Sequence, residues 1–297
     1  MSDFVQLQNS ICDFATSDSW VILSPIELSI KKKIESVGTP LKDWDINIYR
    51  GVLTGCNEAF IIDSQKRDEI LANCHTEDER QRTAELIRPI LRGRDIKRYG
   101  YVDNGLYLIN THNGVRGRIP RIKIEDYPAV KAHLDQYWDR IATRADKGDT
   151  PYNLRNCAYL EDFSRPKIIW KRIGSILRFS FDDKGCLGLD STCFATGEHI
   201  EYLCCVLNSL MGHYLLKDSP KTGTGDLLVS VQAIEPACIP YNSQYERQLS
   251  TLLHGQINNP FDSSEKEIND IVFTMYGLSH KEREYVTQYI KLSQQSL

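Results

Sequence analysis

No stretch of this sequence approaches the roughly 18 consecutive apolar residues of a membrane-spanning helix. The opening "MSDFVQLQNS" has no basic-then-apolar leader, so neither a membrane partner nor a secreted protein is expected. Cysteine is scattered rather than patterned: nine residues, an odd number, with Cys204 and Cys205 adjacent and no C-x-x-C pair. Metal-ligand spacing is absent, and a disulfide framework does not suit a chain of 297 residues, so a reduced, cytoplasmic protein is expected. There is no internal repeat and no low-complexity tract. Positive charge is not in excess either. The 36 Lys and Arg against 40 Asp and Glu give −4, which taken alone argues against a nucleic-acid binder.

What is present is ordinary composition, 41% hydrophobic and 26% charged, enough for one large or two small domains with a real core. The charge, however, is unevenly spread. Residues 82–101 carry six basic side chains (Arg82, Arg88, Arg92, Arg94, Lys97, Arg98) against two acidic ones. "RGRIPRIK" at 116–123 carries four and no acid, and "FSRPKIIWKRIGSILRFSF" at 163–181 carries five and no acid. Acidic residues collect in "HTEDER" and in "FDSSEKEIND". A local basic face on a near-neutral protein steers a polyanion as well as global charge does.

The element pattern predicts an α+β fold: mixed and antiparallel sheets with packed helices and a C-terminal helical segment. Ser24 caps a first helix with Pro25 in its first turn, an Ile26/Ile30/Ile34 stripe and Gly38 as its stop. "WDINIYRG" and "AFIID" read as strands, "DEILANCHTEDERQRTAELIRPIL" as a helix ending near Pro89, and "DNG" at 103–105 as a hairpin turn. "YPAVKAHLDQYWDRIATRAD" reads as an amphipathic helix apolar at Val130, Leu134, Tyr137, Trp138 and Ile141. The 165–196 segment reads as three strands with "DDKG" as a turn, and "EHIEYLCCVLNSLMGHYLLKD" as a buried helix. The end reads as two helices parted at Gly277, the second capped by Ser279.

In this order the segments resemble the TaqI-like C-terminal specificity domain. That domain is the target-recognition part of type II, notably single-chain type IIG, restriction–modification enzymes and adenine-specific DNA methyltransferases. The resemblance rests on "KIESVGTPLKDWDINIYRGVLTGCNEAFIID", "IRPILRGRDIKRY", "RPKIIWKRI" followed by "LDSTCF", "YLCCVLNSLMGHYLL", the "KTGTGD" loop leading to "IP", and "EINDIVFTMYGLS". It covers about residues 20–278 and implies a connector at 1–20, a DNA target-recognition domain at 21–240 and a helical segment at 241–297 that packs on the domain or on a partner. It also implies double-stranded DNA as ligand and a methyltransferase or endonuclease domain or subunit as partner, which would flip the target adenine. This chain lacks the glycine-rich turn and the Asn-Pro-Pro-Tyr-type motif of a methyltransferase, and "NNPF" at 258–261 reads as a loop. S-adenosylmethionine and any magnesium are therefore expected on the partner, with no cofactor here. The chain is an excised domain, a truncated gene product or a separate specificity subunit, non-catalytic by itself.

Under that resemblance the candidate DNA contacts are as follows. Thr54, Asn57 and Glu58 form a tight corner with Gly55; Asn suits adenine in the major groove and Glu a cytosine amino group. The alternative is a turn capped by Asn57 with Glu58 paired to an arginine. Arg92 and Arg94 flank Gly93, with forks that suit guanine or phosphate, and Asp95 orients one of them or pairs internally with Arg94. Lys97 and Arg98 suit phosphate. Period two puts Lys167 and Lys171 on one strand face as a phosphate rail, with Arg172 on the other face beside Trp170, itself expected in the core. Lys221, Thr222 and Thr224 sit on a glycine-rich loop that can enter a groove but lacks the form of a nucleotide cradle. The claim that ties these together is spatial: the basic segments and the 54–58 corner line one concave wall.

Two rivals remain. "DDK" at 182–184 with Asp162 fits half of a metal-dependent nuclease motif, in which Asp162 and Asp183 would hold magnesium and Lys184 would flank the attacking water. Alternatively the terminal helices make a protein-interaction module that docks a methyltransferase subunit. No Ser-His-Asp or Cys-His constellation can be argued from spacing, and the histidines, His213 among them, read as structural.

Overall fold

In the computed structural model, which describes residues 23–295, Ser24 and Glu27 cap each other reciprocally. The Ser24 amide donates to Glu27 Oε2 at 2.8 Å, and Pro25 opens helix α1 (Pro25–Val37). Ile30 of α1 is fully buried, with Ile26 and Ile34 packed on the same core. The 1–20 connector and Trp20, where the family resemblance begins, lie outside the described residues.

After α1 come strands β1 (Ile46–Arg50) and β2 (Ile61–Asp63), helices α2 (Ser64–Ala72) and α3 (Glu77–Leu86), strands β3 (Ile87–Leu91) and β4 (Leu106–Ile109), and helix α4 (Pro128–Asp135). Strands β5 (Lys167–Lys171), β6 (Phe179–Asp182), β7 (Leu187–Gly188) and β8 (Thr192–Gly197) follow. Helices α5 (Ile200–Asn208), α6 (Leu210–Leu215), α7 (Ser243–Asn258), α8 (Asp262–Met275) and α9 (His280–Gln295) complete the chain. The fold is α+β, with antiparallel and mixed sheets and a helical C-terminal part.

The central sheet has the order β1–β8–β5–β6 and is antiparallel throughout. Its middle strand β5 reads "KIIWK" because both faces are covered, and a doubly covered strand has no solvent face to alternate toward. Ile168 and Trp170 enter one core with Cys193 and Ala195, beneath α1 and the helices α5–α9. Ile169 and Phe194 enter a second core with a smaller sheet, order β2–β4–β3–β7, and α2–α4. In that sheet β7 runs parallel to β3, pairing Ile90 with Leu187. The two sheets meet where the Val52 amide, just past β1, donates to Gly188 O of β7 at 2.7 Å and the Thr192 amide of β8 donates to Leu189 O, just past β7, at 2.8 Å. That junction sets the end of β3 beside the end of β5.

Several expected elements divide. The segment expected to run as one helix to Pro89 breaks at Asn73: Thr76 caps α3 by accepting from the Glu79 amide, and 87–91 is a strand in which Pro89 faces Tyr107. Asn57–Phe60 is a helical turn ahead of β2 rather than part of the strand. The amphipathic helix stops at Asp135 and resumes as the turn Trp138–Ile141, with Trp138 44% exposed rather than packed. The buried helix breaks at Ser209, which caps α6. Helix α7 falls within the 241–297 segment expected to be helical and adds a third helix to the two expected there; Asn242 caps it and Leu249 and Leu253 are fully buried.

Candidate nucleic-acid interface

The end of β3 delivers Arg92, Gly93, Arg94 and Asp95 into one turn. Asp95 is buried and accepts from the Arg92 amide (2.8 Å), Arg92 Nε (3.0 Å), Arg92 Nη2 (2.9 Å) and Asn104 Nδ2 (2.9 Å). Burial pushes its carboxyl up, but the Arg92 hydrogen bonds outweigh burial and hold it below the usual carboxylate range. The internal pair is thus Arg92–Asp95 and not Arg94–Asp95, and Arg92's planar fork is spent on the fold. Arg94 points outward, exposed and without a carboxylate partner among the described residues. Gly93 is required by close approach: a Cβ there would lie 2.8 Å from Lys171 Cγ and 3.2 Å from Ser191 O. Lys171, the exposed last residue of β5, therefore lies directly over the turn that carries Arg94.

From Lys171 the strip continues along the chain. Arg172 is half-buried, and its carbonyl accepts from the Val229 amide at 2.9 Å. Ile173–Gly174 pairs with Leu227–Leu228, and Leu227 bridges to Lys221. Thr222 and Thr224 close the 221–226 loop on itself: their hydroxyls meet at 2.8 Å and Thr224 Oγ1 donates to Asp226 Oδ2 at 3.1 Å. Both hydroxyls are engaged inside the turn, and Lys221 is its exposed cation. Arg178, a further cation of the basic 163–181 segment, is half-buried beside Gly93 and Lys171 around a hollow of about 110 Å³. The Gly93 approach thus links the Arg94 turn to Lys171, and β5 with the Gly174–Leu227 pairing links Lys171 to the Lys221 loop.

Lys97 and Arg98 are adjacent in sequence and diverge in space. Between them and β6, Tyr99 sits in the left-handed region at φ 68° and joins the sheet edge, its amide donating to Phe179 O and its carbonyl accepting from the Phe181 amide. Such a non-glycine residue costs about 1–2 kcal/mol, offset here by burial of the ring. The turn leaves Lys97 exposed, donating to Arg94 O at 3.2 Å. It sends Arg98 inward to Glu265 and to Asn208 O at 2.5 Å. Arg98 therefore ties the sheet edge to α8 rather than standing free as a phosphate contact.

Lys167 is the clearest correction. It is 0% exposed, its Nζ is ion-paired with buried Asp182 and donates to Phe163 O at 2.7 Å. Burial, opposed by the Asp182 charge, moves its ammonium below the usual lysine value. It forms no rail with Lys171. Asp182 also accepts from Tyr101 Oη (2.9 Å), the Cys186 amide (3.0 Å) and the Lys184 amide (3.2 Å). The D-x-K run is accordingly a turn that carries the chain from β6 in the central sheet to β7 in the smaller one, not the expected hairpin, with its first carboxylate buried. Asp162 pairs with Arg165 at 3.3 Å, and among the described residues no group of three His, Cys, Asp or Glu side chains is placed to hold a metal ion.

Only part of the 54–58 corner is turned inward: Thr54 and Cys56 are buried, while Gly55, Asn57 and Glu58 are exposed. Thr54 is 2% exposed; its hydroxyl donates to Asn57 Oδ1 and accepts from the Cys56 amide. Gly55, at φ 66°, packs against Arg144 and Asp146, and Glu58 pairs with Arg140 at 2.9 Å. A main-chain hydrogen bond within the residue and the Arg140 guanidinium hold the exposed Glu58 carboxyl below its usual value. The corner thus buttresses the 140–146 segment, the alternative in which Glu58 meets an arginine. In the 116–123 segment Arg118 pairs with Glu161 and Arg121 with Asp149, so half its charge is neutralised.

No protein-family model and no curated protein matches the chain. Among solved structures, the type IIL restriction–modification enzyme MmeI, determined in complex with DNA, superposes with a TM-score of 0.59 at 10% identity, over 88% of this chain and 37% of that one. The type IIG restriction endonuclease BpuSI gives a TM-score of 0.46 at 14% identity, over 85% of this chain and 33% of that one. The chain shares its fold with part of a restriction–modification enzyme and spans little more than a third of MmeI.

Proposed function

We propose that this chain is a double-stranded-DNA recognition module, the specificity part of a type II restriction–modification methyltransferase or endonuclease, acting with a separate catalytic lobe. The observation that carries the reading is the connected strip of Arg94, Lys97, Lys171, Arg172, Arg178 and Lys221. Among the described residues none of these six has a carboxylate partner, whereas Arg92, Arg98, Arg118, Arg121, Arg140 and Lys167 are all neutralised. Unpaired cations, of which Arg94, Lys97, Lys171 and Lys221 are exposed and Arg172 and Arg178 half-buried, release counterions from a polyanion, and this term supplies most non-specific affinity. Arg94, alone on a rigid turn, is the candidate base reader; Lys97, Lys171 and Lys221 set the register on phosphates. The fold shared with part of MmeI supports the reading. S-adenosylmethionine and any magnesium belong, on this proposal, to the catalytic lobe.

The test is fluorescence polarisation on a short duplex. Arg94→Ala/Lys171→Ala is expected to weaken binding at least about tenfold. Lys266→Ala/Lys281→Ala, with the same change in charge on exposed positions of α8 and α9, is expected to leave it unchanged. Equal losses in the two variants would reduce the strip to general charge and defeat the proposal.

A further inference from the structure

In the middle of the cationic strip stands an apolar side chain. Ile176 is 39% exposed at the tip of the bend between Gly174 and Arg178. One hollow, of about 110 Å³, opens on its Lys171–Arg178 side, and another, of about 120 Å³, on its Lys221 side; Ile176 lines both and forms the ridge between them. The ridge is held at both ends. Gly174 is buried and paired to Leu227, and Leu177 is anchored in the first core. A solitary exposed isoleucine is unremarkable on a protein surface. Its position here is different, because Lys171, Arg178 and Lys221 flank it as cations suited to phosphate or to guanine, while Leu227, Tyr289 and Ile290 back the second hollow. The major groove offers one apolar group, the C5-methyl of thymine. A branched, rigidly mounted hydrocarbon set among phosphate-binding cations is complementary to that methyl and to nothing else on a base edge.

We propose that Ile176 reads thymine by packing on its 5-methyl group, a specificity contact that no charge count reveals. The inference rests on the DNA-recognition reading above.

The experiment uses the full 297-residue chain. Duplexes preferred by the wild type are selected from a random pool. Each thymine is then replaced singly by deoxyuridine, which lacks only the methyl group. The wild type is expected to lose about fourfold in affinity at one or two positions, the size of one buried methyl. Ile176→Ala is expected to bind the thymine and deoxyuridine duplexes equally, and Ile176→Val to keep part of the preference. A wild type insensitive to every replacement, or an Ile176→Ala variant that keeps the thymine preference, overturns this contact and leaves the DNA-recognition reading standing. A wild type that binds no duplex at all overturns both. A thermal melt of each variant matching the wild type separates a lost contact from a lost fold.

Discussion

Replacing Lys167 by methionine keeps the length of the side chain and removes its charge. In the wild type the ammonium faces Asp182 and Phe163 O inside the protein, with both charged side chains fully buried. Without it, the Asp182 carboxylate is left with three neutral donors: Tyr101 Oη and the amides of Cys186 and Lys184. Breaking a buried pair by removing one partner costs about 3–5 kcal/mol, and the three remaining donors place this case near about 3. For a protein of this size that corresponds to a fall in Tm of roughly 6–12 °C. The assay is urea and thermal unfolding followed by far-UV circular dichroism, with Lys171→Met as control. That exposed lysine ends the same strand, and its loss should stay within about 0.5 kcal/mol. Adding Asp182→Asn to Lys167→Met removes the stranded charge while keeping an acceptor, and should restore at least about 1 kcal/mol. If Lys167→Met were as stable as Lys171→Met, the ammonium would not be buried, and the assignment of Lys167 to the fold rather than to DNA would be wrong.

Three further outcomes follow from the same contacts. Arg98→Met should destabilise the protein by about 1–3 kcal/mol by removing charged hydrogen bonds to Glu265 and Asn208 O, and should leave the salt dependence of DNA binding unchanged. Glu282 joins α9 to α1 through Lys33 Nζ (2.6 Å) and Ser29 Oγ (2.7 Å), and accepts from the Ser279 amide (2.6 Å) at the start of its own helix. Burial raises its carboxyl, but these donors outweigh it and lower it from 4.5 to about 2. A lowered carboxyl stabilises the fold above its unfolded value and loses that contribution as pH falls toward the folded one. The gap in unfolding free energy between wild type and Glu282→Gln should therefore narrow by about 2 kcal/mol from about pH 6 to about pH 2.5, and a constant gap would contradict the placement of Glu282. On DNA, Arg94→Ala should cost about 1–3 kcal/mol on a preferred site and relax the choice of base, while Lys171→Ala should weaken all sequences alike; identical losses on preferred and random duplexes would reverse those roles.

Local chemistry carried much of the architecture into the sequence. Ser24 as the cap with Pro25 in the first turn, and the break at Gly277, with φ 62°, are local signals that the structure bears out, whereas the 182–185 corner, expected as a hairpin, joins strands of two different sheets. Thr76 and Glu79 form an equally local cap that marks the start of α3, but the long polar run around them obscured it. The candidate site was legible as composition and much less so residue by residue. A lysine opening a strand looks the same whether it faces solvent or a buried aspartate fifteen residues away, and only the covering of both sheet faces decides that Lys167 is inside. The choice between Arg92 and Arg94 for Asp95 turned on a single helical turn, in which a three-residue separation brings the forks together and adjacency does not. Pairing of Arg98 with Glu265 spans 167 residues and left no trace in the local pattern.

The strip itself is tested most directly by the salt dependence of duplex binding. With six cations engaged, the slope of log K against log salt should be near about −5, and Arg94→Ala/Lys171→Ala/Lys221→Ala should flatten it by about 3. A triple variant with the wild-type slope would mean that these side chains do not meet the phosphate backbone, and the proposed interface would be elsewhere or absent.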